Sequence, residues 1–291
     1  MLKKHGYILS LFLLFSLQIE AKSLLYKVSS KTSTVYLLGS IHLAKPELYP
    51  LDKEITKAYK RSDVLVLELD PTSAESTATI QSTMINSGVY PIGKNLQNQL
   101  SPKTYKALDV YMAKLNMPME NIQQMKPWTV MLQLSVMEMM RLGYSPELGI
   151  DQHFLQMAKQ EGKPVLELET AAQQMALLAK EDQGFQDRLL FYTLESMHEM
   201  EPMLDQMFRN WKAGNARAFD RIMSKPLEDD PSLADIYDDL ITKRNYAMTA
   251  KIEDFLETEK NYFVIVGSGH VIGKEGIVAL LKKKGHRVSQ H

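Results

Sequence analysis

The sequence predicts an α/β fold: a largely parallel or mixed central sheet with large helical insertions between its strands. Three observations predict it. Apolar, strand-prone runs recur at 34–38, 63–69, 163–168 and 261–267. Helical patterns fill most of the chain between them, at about 72–160 and 171–257. The ends of the runs are also alike, two stopping on Gly-Ser-x-His and two on Glu-Leu-Asp or Glu-Leu-Glu. Parallel strands joined by helices gather their C-terminal ends on one sheet edge, and that edge is where α/β proteins place their ligands.

The elements run in order from the N-terminus. Residues 1–21 pair Lys3 and Lys4 with an apolar stretch and a small residue, Ala21, the layout of a secretory signal peptide. The apolar stretch is too short to span a bilayer, so no stable span is expected after cleavage. Residues 22–291 are expected to form a single domain. Leu24–Val28 and Thr34–Leu38 make a hairpin across a polar turn. A helix comes next near Asp52–Arg61, capped by Asp52, with Ile55, Ala58 and Tyr59 on its apolar face. The run "DVLVLELDP" is apolar without alternation, as in a central strand buried on both faces. Ser101-Pro102 and Pro127-Trp128 open helices, with proline at the first helical position. A helix from about Ile150 to Lys159 is stopped by Gly162. "KPVLELET" repeats the strand design, "NYFVIVGSGH" is the last long strand, and a helix and a short strand at "HRVSQ" close the chain.

Composition removes some functions. The 291-residue chain carries a formal net charge of −1 and no cysteine. Nucleic acid is not an expected partner, because that affinity rests on clustered Lys and Arg. Disulfides and thiolate metal sites are impossible. An exported chain without cysteine suits a bacterial periplasm or the secreted space.

The strand endings carry the candidate chemistry. Gly39-Ser40 and Gly267-Ser268 let the backbone turn sharply before His42 and His270, so Gly39, Gly267 and Gly269 are read as giving close backbone access to a ligand. One such histidine is most simply a hydrogen-bonded structural residue. Two copies of one design argue for a shared site. Glu68 ends an otherwise apolar strand and must be paired, ligated or protonated there; Glu169 ends a similar one. His, His and Glu at strand ends form a ligand set for Zn²⁺, Mn²⁺ or Co²⁺ with a position open for water, and a second carboxylate could serve as general base.

These residues carry a family resemblance. The motifs "LLGSIH", "LVLELDP", "LGIDQHF", "LELET", "TKRN" and "GSGHVIGKEGIVALLKKKGHRV" stand in order from 37 to 288. The chain resembles the TraB/GumN family, which includes the Tiki proteases that cleave Wnt proteins. The resemblance implies a divalent-metal hydrolase acting on a peptide or protein substrate and supported by Mn²⁺ or Co²⁺. Its site would be formed by His42, His270 and Glu68. Glu169 and Arg244 would orient these groups or stabilise charge, with Asp151, His153 and Asn245 as secondary candidates. Asp151 can equally be read as a helix N-cap, and Arg244 as a structural ion pair.

Three other readings stand beside this one. Met197, Met200, Met203 and Met207 with His198 could hold Cu(I), although their spacing is that of a helix's apolar face. A non-catalytic periplasmic binding or scaffold protein would keep the same fold. A serine hydrolase using Ser40 or Ser268 ranks last, since each strand serine should point away from the motif's own histidine.

Overall fold

The computed structural model describes residues 23–180 and 182–291; the expected signal peptide lies outside the described residues. The core is a six-stranded mixed sheet built from β1 (Leu25–Ser29), β2 (Thr34–Ser40), β3 (Val64–Leu67), β4 (Val165–Glu167), β5 (Tyr262–Gly267) and β6 (Val288–Gln290). Its spatial order is β4-β3-β5-β2-β1-β6. The pairs β4–β3, β3–β5 and β5–β2 are parallel, whereas β1 pairs antiparallel with β2 and with β6. The α/β class with helical insertions is therefore the one observed.

The strand order brings remote motifs together. β5 comes late in the chain yet inserts between β2 and β3, so residues 39–42, 68 and 267–270 end on one edge although more than two hundred positions separate the first from the last. The three central strands are buried along nearly their whole length, as continuous apolar runs covered on both faces should be. β4 departs from expectation. It is only three residues long and Leu166 is 44% exposed. An edge strand pairs on one side only, and shortness guards it against pairing with other chains.

Local chemistry explains the helices that frame the edge. In α1 (Lys53–Lys60) the Asp52 side chain accepts from the Glu54 amide, and Ile55, Ala58 and Tyr59 are buried as expected. The insertion after β3 holds α2 (Ala74–Ser87), α3 (Pro102–Lys114), α4 (Pro127–Arg141) and α5 (Ile150–Glu161). Gly162, at φ +65°, ends α5 in the left-handed conformation that favours glycine. After β4 come α6 (Ala171–Leu178), α7 (Gln183–Ser196), α8 (Met200–Lys212), α9 (Ala216–Asp229) and α10 (Lys243–Leu256), and α11 (Ile277–Lys283) precedes β6. Part of α3, α4 and α7 encloses a satellite core that includes Leu108, Met112, Leu134 and Leu190.

The methionine stripe divides between these cores. Met197 and Met200 pack into the satellite core, while Met207 packs against the main one. His198 is exposed and its Nδ1 pairs with the Glu195 carbonyl. The stripe is thus packing surface on two cores, the use that its helical spacing favours.

Candidate functional site

The site begins where β5 stops. Gly267 is the N-cap residue of a single helical turn, Ser268–Val271, which carries His270. A methyl placed on Gly267 would stand 3.2 Å from Glu68 Oε1, 3.2 Å from His42 Nε2 and 3.7 Å from His270 Cδ2. Those distances hold the two imidazoles within about 7 Å of each other, close enough for two bonds of ~2 Å to reach one metal ion. Gly267 is the access glycine among the three. Gly39 instead makes room for Ser268, and Gly269 faces Met223.

Each histidine is held through Nδ1. His42 Nδ1 lies 3.1 Å from Asp151 Oδ1. The contact exists because α5 starts against the end of β2: the Ile150 amide donates to the Ile41 carbonyl, and a methyl on Gly149 would come within 2.3 Å of the His42 carbonyl. Gly149 takes the N-cap position, so Asp151 sits in the first turn and is not the cap. His270 Nδ1 lies 2.6 Å from Asn245 Oδ1, while Asn245 Nδ2 donates to the Glu275 carbonyl. That second bond fixes the amide so that its oxygen faces His270. Nδ1 therefore carries the proton, and Nε2 keeps a free lone pair.

The carboxylates meet on Arg244. Its Nε donates to Glu169 Oε1 at 2.8 Å, and its Nη2 reaches Glu169 Oε2 at 2.6 Å and Glu68 Oε2 at 2.8 Å. Nη1 donates to the Leu240 carbonyl within a π-helical segment, Asp238–Thr242, that leads into α10. The other oxygen of Glu68 accepts from the Gly267 amide, and His270 Nε2 is 3.9 Å from Glu68 Oε2. Glu169 also accepts from Gln174 Nε2.

These surroundings set the charges. Desolvation works against ionised Glu68, but His270, His42, Arg244 and the Gly267 amide more than offset it, and its pKa falls below the usual carboxylate range. Desolvation also opposes a charged His42. The hydrogen bond to Asp151 and the charges of Asp151 and Glu68 prevail, because 54% of that side chain stays accessible, and raise it to about 9. Buried His270 is pushed down to about 4, chiefly by desolvation. Three carboxylates (Glu68, Glu169 and Asp151) face one guanidinium. Two negative charges remain, a balance that suits a divalent cation.

Most of the expected residues converge here: His42, Glu68, Asp151, Glu169, Arg244, Asn245 and His270. His153 does not. It lies against Tyr49 and Phe154, with ring centroids 5.1 and 5.0 Å away, and burial lowers its pKa. Neither motif serine bonds a histidine: Ser268 Oγ donates to the Ser40 carbonyl, and Ser40 Oγ is buried without a partner among the described residues. Sequence reasoning missed Gly149, Gln174 and Trp211, whose Nε1 donates to the Gly39 carbonyl. Gly149 had a signal, since it stands inside "LGIDQHF".

The donor chemistry suits a transition-metal ion, with two imidazole Nε2 atoms and a carboxylate around Gly267. As they stand, no three His, Asp or Glu side chains among the described residues are arranged to hold one. Glu68 is held by Arg244 and the Gly267 amide. Among the described residues no helix is long and apolar enough to cross a membrane.

Known proteins agree with the motifs. The chain is 29% identical over 248 residues to the uncharacterized protein YbaP of Escherichia coli (strain K12), a match covering 85% of this chain and 87% of that protein. It is 23% identical over 305 residues to metalloprotease TIKI1 of Xenopus tropicalis, covering 87% of this chain and 58% of that protein. No solved structure matches. The profile of one family spans residues 24–290, nearly all the described chain, and the chain belongs to that family, TraB/PrgY/gumN.

Proposed function

We propose that the chain is a divalent-metal-dependent hydrolase that cleaves peptide bonds, exported by its N-terminal segment to the periplasm or secreted space. The observation that carries this reading is the convergence of His42 Nε2, His270 and Glu68 around Gly267, with each histidine anchored through Nδ1. Similarity to metalloprotease TIKI1 supports it. His42, His270 and Glu68 would hold the ion, which is Mn²⁺, Co²⁺ or Zn²⁺. When bound, such an ion lowers the pKa of water and polarises a carbonyl.

The chain's own residues supply the rest. Asp151 and Asn245 fix the imidazole orientations, as outer partners of metal-binding histidines do. Arg244 fixes Glu68 and Glu169 relative to each other. In the overall reaction a water oxygen bonds to the carbonyl carbon, the C–N bond breaks, and a proton passes to the leaving amine. Glu68 stands at the site to take that proton from the water and return it.

The test is direct. The mature protein is purified, its metal content measured, and peptide hydrolysis assayed with Mn²⁺, Co²⁺ and Zn²⁺ beside His42→Ala and His270→Ala. Both variants should lose metal binding and activity; full retention of either in both variants sinks the reading. A second reading, a non-catalytic binding protein on the same fold, is favoured by one observation: Arg244 occupies both Glu68 and Glu169. It predicts no hydrolysis under any of the three metals.

A further inference from the structure

The two Gly-Ser-x-His segments grip each other. Ser40 lies opposite Gly267 in the last register pair of the β2–β5 ladder, and Ser268 Oγ donates to the Ser40 carbonyl at 2.9 Å. A methyl on Gly39 would stand 2.9 Å from Ser268 Oγ and 3.2 Å from its Cα, so the close approach requires a residue without a side chain. From the other direction buried Trp211 donates Nε1 to the Gly39 carbonyl at 2.7 Å. The end of β2 is therefore fixed on two sides just before His42.

The ladder alone does not position the segments beyond its last pair. Past Ser40 and Gly267 the two chains diverge, one toward α5 and the other into the helical turn of His270. No ladder bond then sets the spacing of the histidines, yet a working site tolerates an error of only about 0.5 Å.

We propose that Gly39, Ser268 and Trp211 form a clasp that sets the spacing of His42 and His270. They are positioning residues for the metal site proposed above, on which this inference rests. The clasp contains no ionisable group and no metal donor from a histidine or carboxylate. It acts on the metal only through the backbone that carries the two imidazoles.

The metal-free mature protein is titrated with Co²⁺, following the dissociation constant and the d–d absorption spectrum, which reports ligand geometry. Thermal unfolding of the metal-free forms controls for folding. Gly39→Ala should weaken binding about 10- to 100-fold, the cost typical of disturbing groups that orient ligands, and should alter the spectrum. In a Ser268→Gly background the same change should cost far less, because the Oγ and Cβ atoms it meets are gone. Wild-type binding by Gly39→Ala, or equal losses in both backgrounds, overturns the clasp. If Gly39→Ala does not fold, Ser268→Ala removes only the bond to the Ser40 carbonyl; a smaller loss of binding supports the clasp and no loss overturns it.

Failure of the metal reading shows separately, as a wild type that binds none of Co²⁺, Mn²⁺ and Zn²⁺. Crystal structures of the metal-free wild type, Gly39→Ala and the double variant then decide the clasp. The separation of His42 Nε2 and His270 Nε2 should change in the single variant and return in the double. An unchanged separation overturns the inference.

Discussion

Arg244→Met isolates the electrostatic joint of the site. The substitution keeps an unbranched apolar stem and removes the guanidinium that joins two carboxylates. Glu68 and Glu169 are 9% and 7% exposed, so water does little to replace the lost partner. Four donor contacts vanish, two to Glu169, one to Glu68 and one to the Leu240 carbonyl. Breaking a buried pair by removing one partner costs about 3–5 kcal/mol, because the charge left behind is uncompensated. The value belongs toward the middle of that range. Glu68 keeps the Gly267 amide and two nearby histidines, and Glu169 keeps Gln174. For a chain of this size each kcal/mol moves the midpoint by roughly 2–4 °C, so differential scanning calorimetry of the metal-free protein should show a fall of about 6–20 °C. Adding Glu169→Gln to Arg244→Met should recover part of the loss, since one stranded charge is removed. A midpoint within about 2 °C of wild type, or a double variant less stable than the single, would refute the view that Arg244 neutralises these carboxylates.

Three further outcomes are expected. Trp211→Phe should lower the unfolding free energy by about 1–3 kcal/mol in urea titrations, because it leaves the buried Gly39 carbonyl without the indole donor. Gly149→Ala should lower the thermal midpoint sharply, since its methyl would come within 2.3 Å of the His42 carbonyl; an unchanged midpoint would mean that α5 can shift freely at its start. In Glu138 the hydrogen bonds from Arg141 hold the carboxyl below its ordinary range. A depressed carboxyl contributes its full stabilisation above the unfolded value near pH ~4.3 and loses it as pH falls through the folded value. Glu138→Gln should therefore flatten the acid-side loss of stability in urea unfolding from about pH 6 to pH 3, and a profile parallel to wild type would discount the pair.

How much the sequence disclosed depends on how far each feature is local. The central strands were legible because burial on both faces demands continuous apolar runs, and 64–67 and 262–266 have them. The helix caps at Asp52, Ser101 and Gly162 were legible for the same reason, since each acts within one turn. β4 was misjudged because its composition matches a central strand, while its length follows from having a neighbour on one side only. The candidate site was legible as a set of strand endings. Its wiring was not, because Asp151 reaches His42 only after α5 docks on Ile41, and Asn245 reaches His270 only after α10 crosses the edge. The glycines show the limit most clearly. Gly39 and Gly267 stand in the same local motif, and either could have been the one that opens onto a ligand. The difference comes from β5 inserting between β2 and β3, which turns Gly267 toward Glu68 and His42 and packs Gly39 against the serine of the other copy. Each half of the repeated motif therefore has its meaning in the other half, and no reading of one half alone could supply it.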